Sequence, residues 1–244
     1  MADALQELLG PVRAAVQQYD MIGENDRIAV GLSGGKDSAA LLAALAALRR
    51  FYPIPFTLTA ITLDPCVGGR ETDFSPLTDW CASLGVPHII RRTRLWEIVF
   101  EERKEPNPCS LCSRMRRGVL HRAAKEEGCR SIALGHHRDD AIETLLMSLF
   151  YEGRFHTFHP KTYLSRTGIT AIRPLCYLPE YHVKHMVQEL NLPVVKSPCP
   201  ANGETKRQEM KELMQALRKR YPDAPDRFLH ALQSDKQYDL WQKE

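Results

Sequence analysis

The chain has 244 residues, 43% of them hydrophobic, and a formal net charge of +3. That size suits one large domain, or one domain with a small appendage, and there is enough apolar surface for a real core. No apolar run approaches the ~18 residues a membrane helix needs. The first ten residues lack the basic and apolar stretches of a secretory signal, so a cytoplasmic protein is expected, and the small net charge does not by itself announce a nucleic-acid binder.

Residues 4–20 read as a helix, with Leu5, Leu8, Leu9, Val12 and Val16 on one stripe. Strands and helices then alternate. Strand 27–31 leads into helix 38–50, and strand 56–63 into helix 75–84. Strand 87–91 is followed by an irregular piece and helix 109–127; strand 131–135 leads into helix 139–152. This alternation predicts an α/β fold, a doubly wound, mostly parallel sheet covered by helices on both faces. Ligands in such a fold sit beyond the carboxyl ends of the strands. Past residue 153 the pattern loosens into a basic, His-rich loop (153–168), a short strand at 170–173, helix 180–190 and strand 193–195. A turn at 197–203, a polar helix 204–220 and at most a short helix pair in 223–244 complete the chain.

Three stretches at strand ends carry chemistry. The first is Ser33-Gly34-Gly35-Lys36-Asp37-Ser38, between an apolar strand and a helix. A strand, a glycine turn and a helix start present a row of backbone N–H groups to phosphate. It is not a Walker A loop, because only three residues separate Gly31 from Gly35-Lys36 and an Asp follows the Lys. The second is Gly135-His136-His137-Arg138-Asp139-Asp140, continuing to Glu143 and Thr144. Asp139 and Asp140 suit a helix start. Asp140, Glu143 and Thr144 share a face by their i, i+3, i+4 spacing. Ordinary helix capping would explain the acids alone; the strand-end location and the double His favour a carboxylate pair for Mg²⁺. Asp64 also stands at a strand end.

The third stretch is Cys109-Ser110-Leu111-Cys112, which opens a helix after Pro108. Both sulfurs face one way, and the helix terminus favours thiolate. Alone, the pair reads equally as a redox dithiol, half a zinc site or cluster ligands. No second such pair exists, which weakens a closed zinc site. Cys199, held between Pro198 and Pro200, is the remaining turn cysteine suited to join them, and three thiolates would bind a 4Fe–4S cluster with one iron open. Cys81, Cys129 and Cys176 sit in or beside apolar segments and read as core fillers; Cys66 has no assignment. An odd count of seven cysteines argues against a disulfide framework. Residues 101–130 hold eight Lys/Arg against five Glu, and 204–220 hold six against three. Either is a solvated helix face or a phosphate-contacting surface. Arg114, Arg116 and Arg117 follow the thiol pair directly, and Arg173 ends a strand.

Taken together, these segments resemble the TtcA family of tRNA 2-thiocytidine synthetases within the PP-loop superfamily. The resemblance rests on residues 26–38, 109–118, 134–154 and 172–175, and on Cys199, with seven residues between it and Arg207-Gln208. The family pattern has a pair of thiols in that last loop, and this chain keeps one. The resemblance implies an adenine nucleotide α-hydrolase-like fold, with an N-terminal helix (1–25), an ATP-binding domain (26–200) with an inserted thiol helix, and a C-terminal helical appendage (201–244). It implies ATP on Ser33 to Ser38, with Asp64, Gly135, His136, Asp139, Asp140 and Arg173 completing the nucleotide site and Asp139 and Asp140 on Mg²⁺. Cys109, Cys112 and Cys199 would hold a 4Fe–4S cluster and, with Asp37 and Asp139, form the catalytic set. Arg114, Arg116, Arg117, Lys206 and Arg207 would meet RNA. The implied reaction adenylates O2 of a tRNA cytidine, by analogy at position 32, and replaces it with sulfur held on the open iron. The implied partners are tRNA and a cysteine desulfurase or other sulfur donor, and the implied state is a homodimer. The alternatives are a related enzyme acting on another base or a small molecule, and a non-catalytic ATP or iron–sulfur sensor.

Overall fold

The computed structural model describes residues 2–103, 108–196, 199 and 206–234. The chain divides into two compact units, residues 1–137 with 159–202, and residues 138–158 with 203–244.

The first unit is built on a six-stranded sheet in the order β3-β2-β1-β4-β6-β5. Its strands are β1 (Asp26–Gly31), β2 (Phe56–Asp64), β3 (His88–Arg92), β4 (Ser131–Ala133), β5 (Lys161–Leu164) and β6 (Ile169–Ile172). All neighbours run parallel except β5, which pairs antiparallel to β6. The mostly parallel, doubly wound α/β sheet expected from the alternation is therefore present. Strand β2 is buried on both faces at every residue but Thr57, even though Thr59, Thr62 and Asp64 interrupt its apolar residues. Side chains of β1 alternate between two cores. Ile28 and Val30 join the larger core, with α1 (Ala2–Gln18), α2 (Lys36–Leu48), α3 (Ser75–Ser83) and α6 (Glu180–Glu189). Ala29 joins the smaller core, with Ala123 and Ala124 of α4 (Pro108–Glu126). Helix α2 is buried along almost its whole length, as its Ala/Leu composition requires.

Two expectations are corrected. The loop 153–168 contains a strand, β5, which forms a hairpin with β6. The residues expected as strand 193–195 join no sheet; Val195 instead donates its N–H to the Gly34 carbonyl at 2.9 Å. One bond to a loop makes no ladder. Cys81, Cys129 and Cys176 are core residues as expected, 0%, 5% and 4% exposed. Most of the turn 197–203 lies outside the described residues, as does the tail beyond α8.

The second unit packs α5 (Arg138–Glu152) with α7 (Lys206–Arg220) and α8 (Ala224–Gln233). Ile142, Leu146 and Met210 form its core, flanked by Met147, Leu213, Met214 and Phe228. Arg138 ties α5 to α8 through Asp226 at 2.5 Å.

Candidate functional site

Sheet order locates the site in the first unit. From β1 the chain moves outward to β2 and β3, then returns to β4 on the other side of β1. The loops after β1 and β4 therefore leave the sheet at its topological switch point, where such folds bind ligands. These are the loops that begin at Leu32 and Leu134.

The glycine turn is held by its own hydroxyls. Ser38 Oγ donates to the Gly35 carbonyl at 2.8 Å and accepts from Ser33 N–H at 3.1 Å. The two serine hydroxyls lie 3.2 Å apart. Gly34 has φ +88°, and a Cβ there would stand 3.1 Å from the Val195 carbonyl oxygen. A residue with a side chain would be strained and crowded at once. Gly35 caps α2 with extended backbone, and no side chain satisfies the helix start. Its first-turn N–H groups thus offer an anion cradle.

The second loop presses on the first. A Cβ on Gly135 would lie 2.9 Å from both the carbonyl carbon and oxygen of Asp37, and 3.1 Å from Ser38 N. His137, buried, brings Nε2 within 3.7 Å of Asp37 Oδ1. Lys36 bonds both Asp37 carboxylate oxygens at 2.8 and 2.9 Å, and Glu180 at the start of α6 at 3.1 Å. Burial works against the Lys36 charge, but Asp37 and Glu180 outweigh it and raise the ammonium above its usual range. Glu180 had no signal in the sequence, since an acid at a helix start is ordinary.

Other expected site residues have partners of their own. Asp64 is fully buried and accepts bonds from Cys66 N–H at 3.0 Å and Thr72 N–H at 2.8 Å. It shapes the loop beyond β2. Arg173 donates to the His159 carbonyl at 2.6 Å; burial, with repulsion from Arg117, pulls it down to about 10, so it stays charged at neutral pH. In the second unit, Asp139 bonds Arg138 at 3.1 Å. Arg207 bridges Asp140 at 3.1 Å, Glu143 at 3.2 Å and Thr144 at 3.3 Å, the three residues expected on one face. Its guanidinium is thus engaged within the second unit. Burial first, then Asp140, pushes Glu143 up to about 7 against the pull of Arg207. Lys206 stacks 4.1 Å over the Tyr151 ring.

Two of the thiols, Cys112 and Cys199, line one cleft together with Ser33 and Arg116, among others. Trp96 and Phe100 also line it, and their rings stack at 4.3 Å. Cys109 is exposed on the first turn of α4. Burial raises the Cys112 thiol; Arg116 opposes this, while Cys199 and Cys109 add to it. Cys109 and Cys199 are thus near enough to Cys112 to influence its thiol. Three thiols are by chemistry the soft donors that a thiophilic cluster takes. Among the described residues, no group of three or more Cys, His, Asp or Glu is placed to hold a metal ion. Arg114, Arg116 and Arg117 are exposed along α4.

A family model described as a PP-loop domain matches residues 8–217. The chain is 41% identical over 224 residues to the tRNA-cytidine(32) 2-sulfurtransferase of Pelobacter propionicus, covering 91% of this chain and 82% of that one. It is 38% identical over 224 residues to the enzyme of the same name from Geobacter metallireducens, covering 91% and 86%. Among solved structures it resembles the U34-tRNA thiolase NcsA of Methanococcus maripaludis with its 4Fe–4S cluster. That match has a TM-score of 0.76 and 28% identity over 93% of this chain and 77% of the other.

Proposed function

The chain belongs to the PP-loop domain family and, within it, to the tRNA-cytidine(32) 2-sulfurtransferases, and from that membership we propose that it replaces the 2-oxygen of tRNA cytidine 32 with sulfur, cleaving ATP to AMP and pyrophosphate. One observation carries this reading to the residues: Ser33 of the glycine turn and the thiols Cys112 and Cys199 line a single cleft. A base activated at the turn is then already enclosed with the groups that handle sulfur.

In the first half-reaction the α2 N-terminus and Lys36 hold the ATP phosphates. Lys36 exchanges Asp37 and Glu180 for phosphate oxygens. Cytidine O2 attacks the α-phosphorus, a new O–P bond forms, the bridging bond to the β-phosphorus breaks, and pyrophosphate leaves. Arg116 and Arg173 offset the developing charge. Asp139 and Asp140 would hold Mg²⁺, whose chemistry there would be to neutralise the leaving pyrophosphate. In the second half-reaction, sulfur at the sulfide level adds to C2. The C2–O bond breaks, AMP departs with the former O2, and the sulfur proton passes to solvent. Nothing is oxidised or reduced. Cys109, Cys112 and Cys199 would hold a 4Fe–4S cluster, which would supply an iron site for sulfide. Arg114 and Arg117 meet tRNA phosphates, and the target base leaves its stack to enter the cleft. Supply from a cysteine desulfurase or other donor, a homodimeric state and a cytoplasmic setting complete the proposal and rest on the family alone. Among the described residues, no helix is long and apolar enough to cross a membrane.

The test is anaerobic reconstitution with iron and sulfide, followed by ATP, Mg²⁺ and tRNA, with nucleosides read by mass spectrometry. The expected product is 2-thiocytidine. Cys109→Ala, Cys112→Ala and Cys199→Ala should each lose both the visible charge-transfer band and the product, while Cys81→Ala keeps both. Zinc without iron in anaerobically purified protein would overturn the cluster assignment. Appearance of 2-thiouridine instead would move the acceptor to a uridine.

A further inference from the structure

Between β3 and α4 the chain makes a π-helical turn, Glu97–Glu102, closed by a bond from Arg103 N–H to the Ile98 carbonyl at 3.0 Å. Such turns are rare and concentrate at functional sites. Here the turn stacks Trp96 and Phe100, with ring centroids 4.3 Å apart and planes 18° from parallel. Both rings line the cleft that holds Ser33, Cys112 and Cys199. The pair is anchored from two sides. Trp96 N–H donates to the Pro65 carbonyl at 3.2 Å, and its indole Nε1 donates to Glu101 at 3.1 Å. The rings are only half-buried, so the core does not consume them.

Resting on the sulfurtransferase reading, we propose that Trp96 and Phe100 form the stacking wall for the extruded target cytosine. A flipped base loses its neighbours in the RNA stack and needs a planar surface in their place. The cleft offers a stiff aromatic pair with Leu63, Val67 and Phe74 around it. Two planar bases take part in the reaction, the cytosine and the adenine of ATP. Sulfur must bond to C2 of the cytosine, so the cytosine has to share an enclosure with the thiols. The adenine has no such requirement, and this favours the cytosine at Trp96 and Phe100.

The experiment uses the anaerobically reconstituted full chain as wild type and as Trp96→Ala, Phe100→Ala and the ring-preserving Trp96→Phe. One arm measures 2-thiocytidine formation at varied tRNA and varied ATP. The other records fluorescence of a tRNA carrying pyrrolocytosine at the target position, which is quenched on stacking. Loss of one stacked base should raise KM for tRNA or lower kcat/KM about 5- to 150-fold. It should also abolish the quench, with KM for ATP changed less than twofold and Trp96→Phe close to wild type. A rise in KM for ATP with unchanged tRNA kinetics would overturn the proposal in favour of adenine. Alanine variants that thiolate and quench like wild type would reduce the pair to a structural wall and also overturn it. Wild-type protein that forms no thiolated nucleoside would instead overturn the sulfurtransferase reading itself, so the two failures are distinct.

Discussion

Gly135→Ala tests the contact on which the nucleotide site depends. The added methyl carbon would start 2.9 Å from the Asp37 carbonyl carbon and oxygen and 3.1 Å from Ser38 N. These are backbone atoms of the first turn of α2, so no side chain can rotate away. Reaching ordinary contact near 3.4 Å requires the two loops to part by about 0.5 Å. Overpacking of this kind costs ~1–3 kcal/mol, or roughly 2–12 °C in melting temperature for a chain this long. The catalytic effect should be larger in proportion. A displacement of about 1 Å can cost ~100-fold when reacting atoms must align, so half of that predicts about tenfold slower pyrophosphate release. The assays are a thermal melt and ATP-dependent pyrophosphate release with tRNA present. Gly118→Ala is the matched control: it lies within α4 with nothing within 4 Å of its added carbon. It should stabilise by ~0.5–1 kcal/mol through helix propensity alone. Wild-type melting and pyrophosphate release from Gly135→Ala would refute the claim that these loops are pressed together.

Glu180→Gln removes one of the two carboxylates that compete with phosphate for Lys36. An ion pair of this kind contributes up to ~1 kcal/mol, so KM for ATP should fall by up to about fivefold; a rise would assign Glu180 a positioning role instead. Glu143 has its folded pKa raised from 4.5 to about 7, so the folded state binds its proton more tightly than the unfolded chain. Its contribution is complete below 4.5 and is lost as pH rises through 7, on the order of 3 kcal/mol. Denaturant titrations of Glu143→Gln across that range should lose this slope, and an unchanged slope would remove Glu143 as its source. Arg114→Ala and Arg117→Ala should weaken tRNA binding uniformly across sequences, and each should flatten the salt dependence by about one unit of slope. Filter binding over a salt series measures this, and an unaltered slope would place these arginines away from phosphate.

The sequence alone carried the sheet, the glycine turn, the thiol pair and the acidic helix start, because each is a local pattern. Alternating apolar runs report burial within a few residues, and a phosphate cradle is a short strand–turn–helix. Segments with weak local signals were read less well. The four residues of β5 mix polar and apolar types and pair only at a sheet edge. Residues 193–195 have strand-like composition, yet no neighbouring strand is there to receive them. Tertiary structure alone decided which distant groups meet. Glu180 reaches Lys36 across 144 positions of sequence. Arg207 closes on Asp140 and Glu143 from another helix. Ser33 shares a cleft with Cys112, Cys199, Trp96 and Phe100. None of these has a spacing rule, because each contact depends on how whole strands and helices pack.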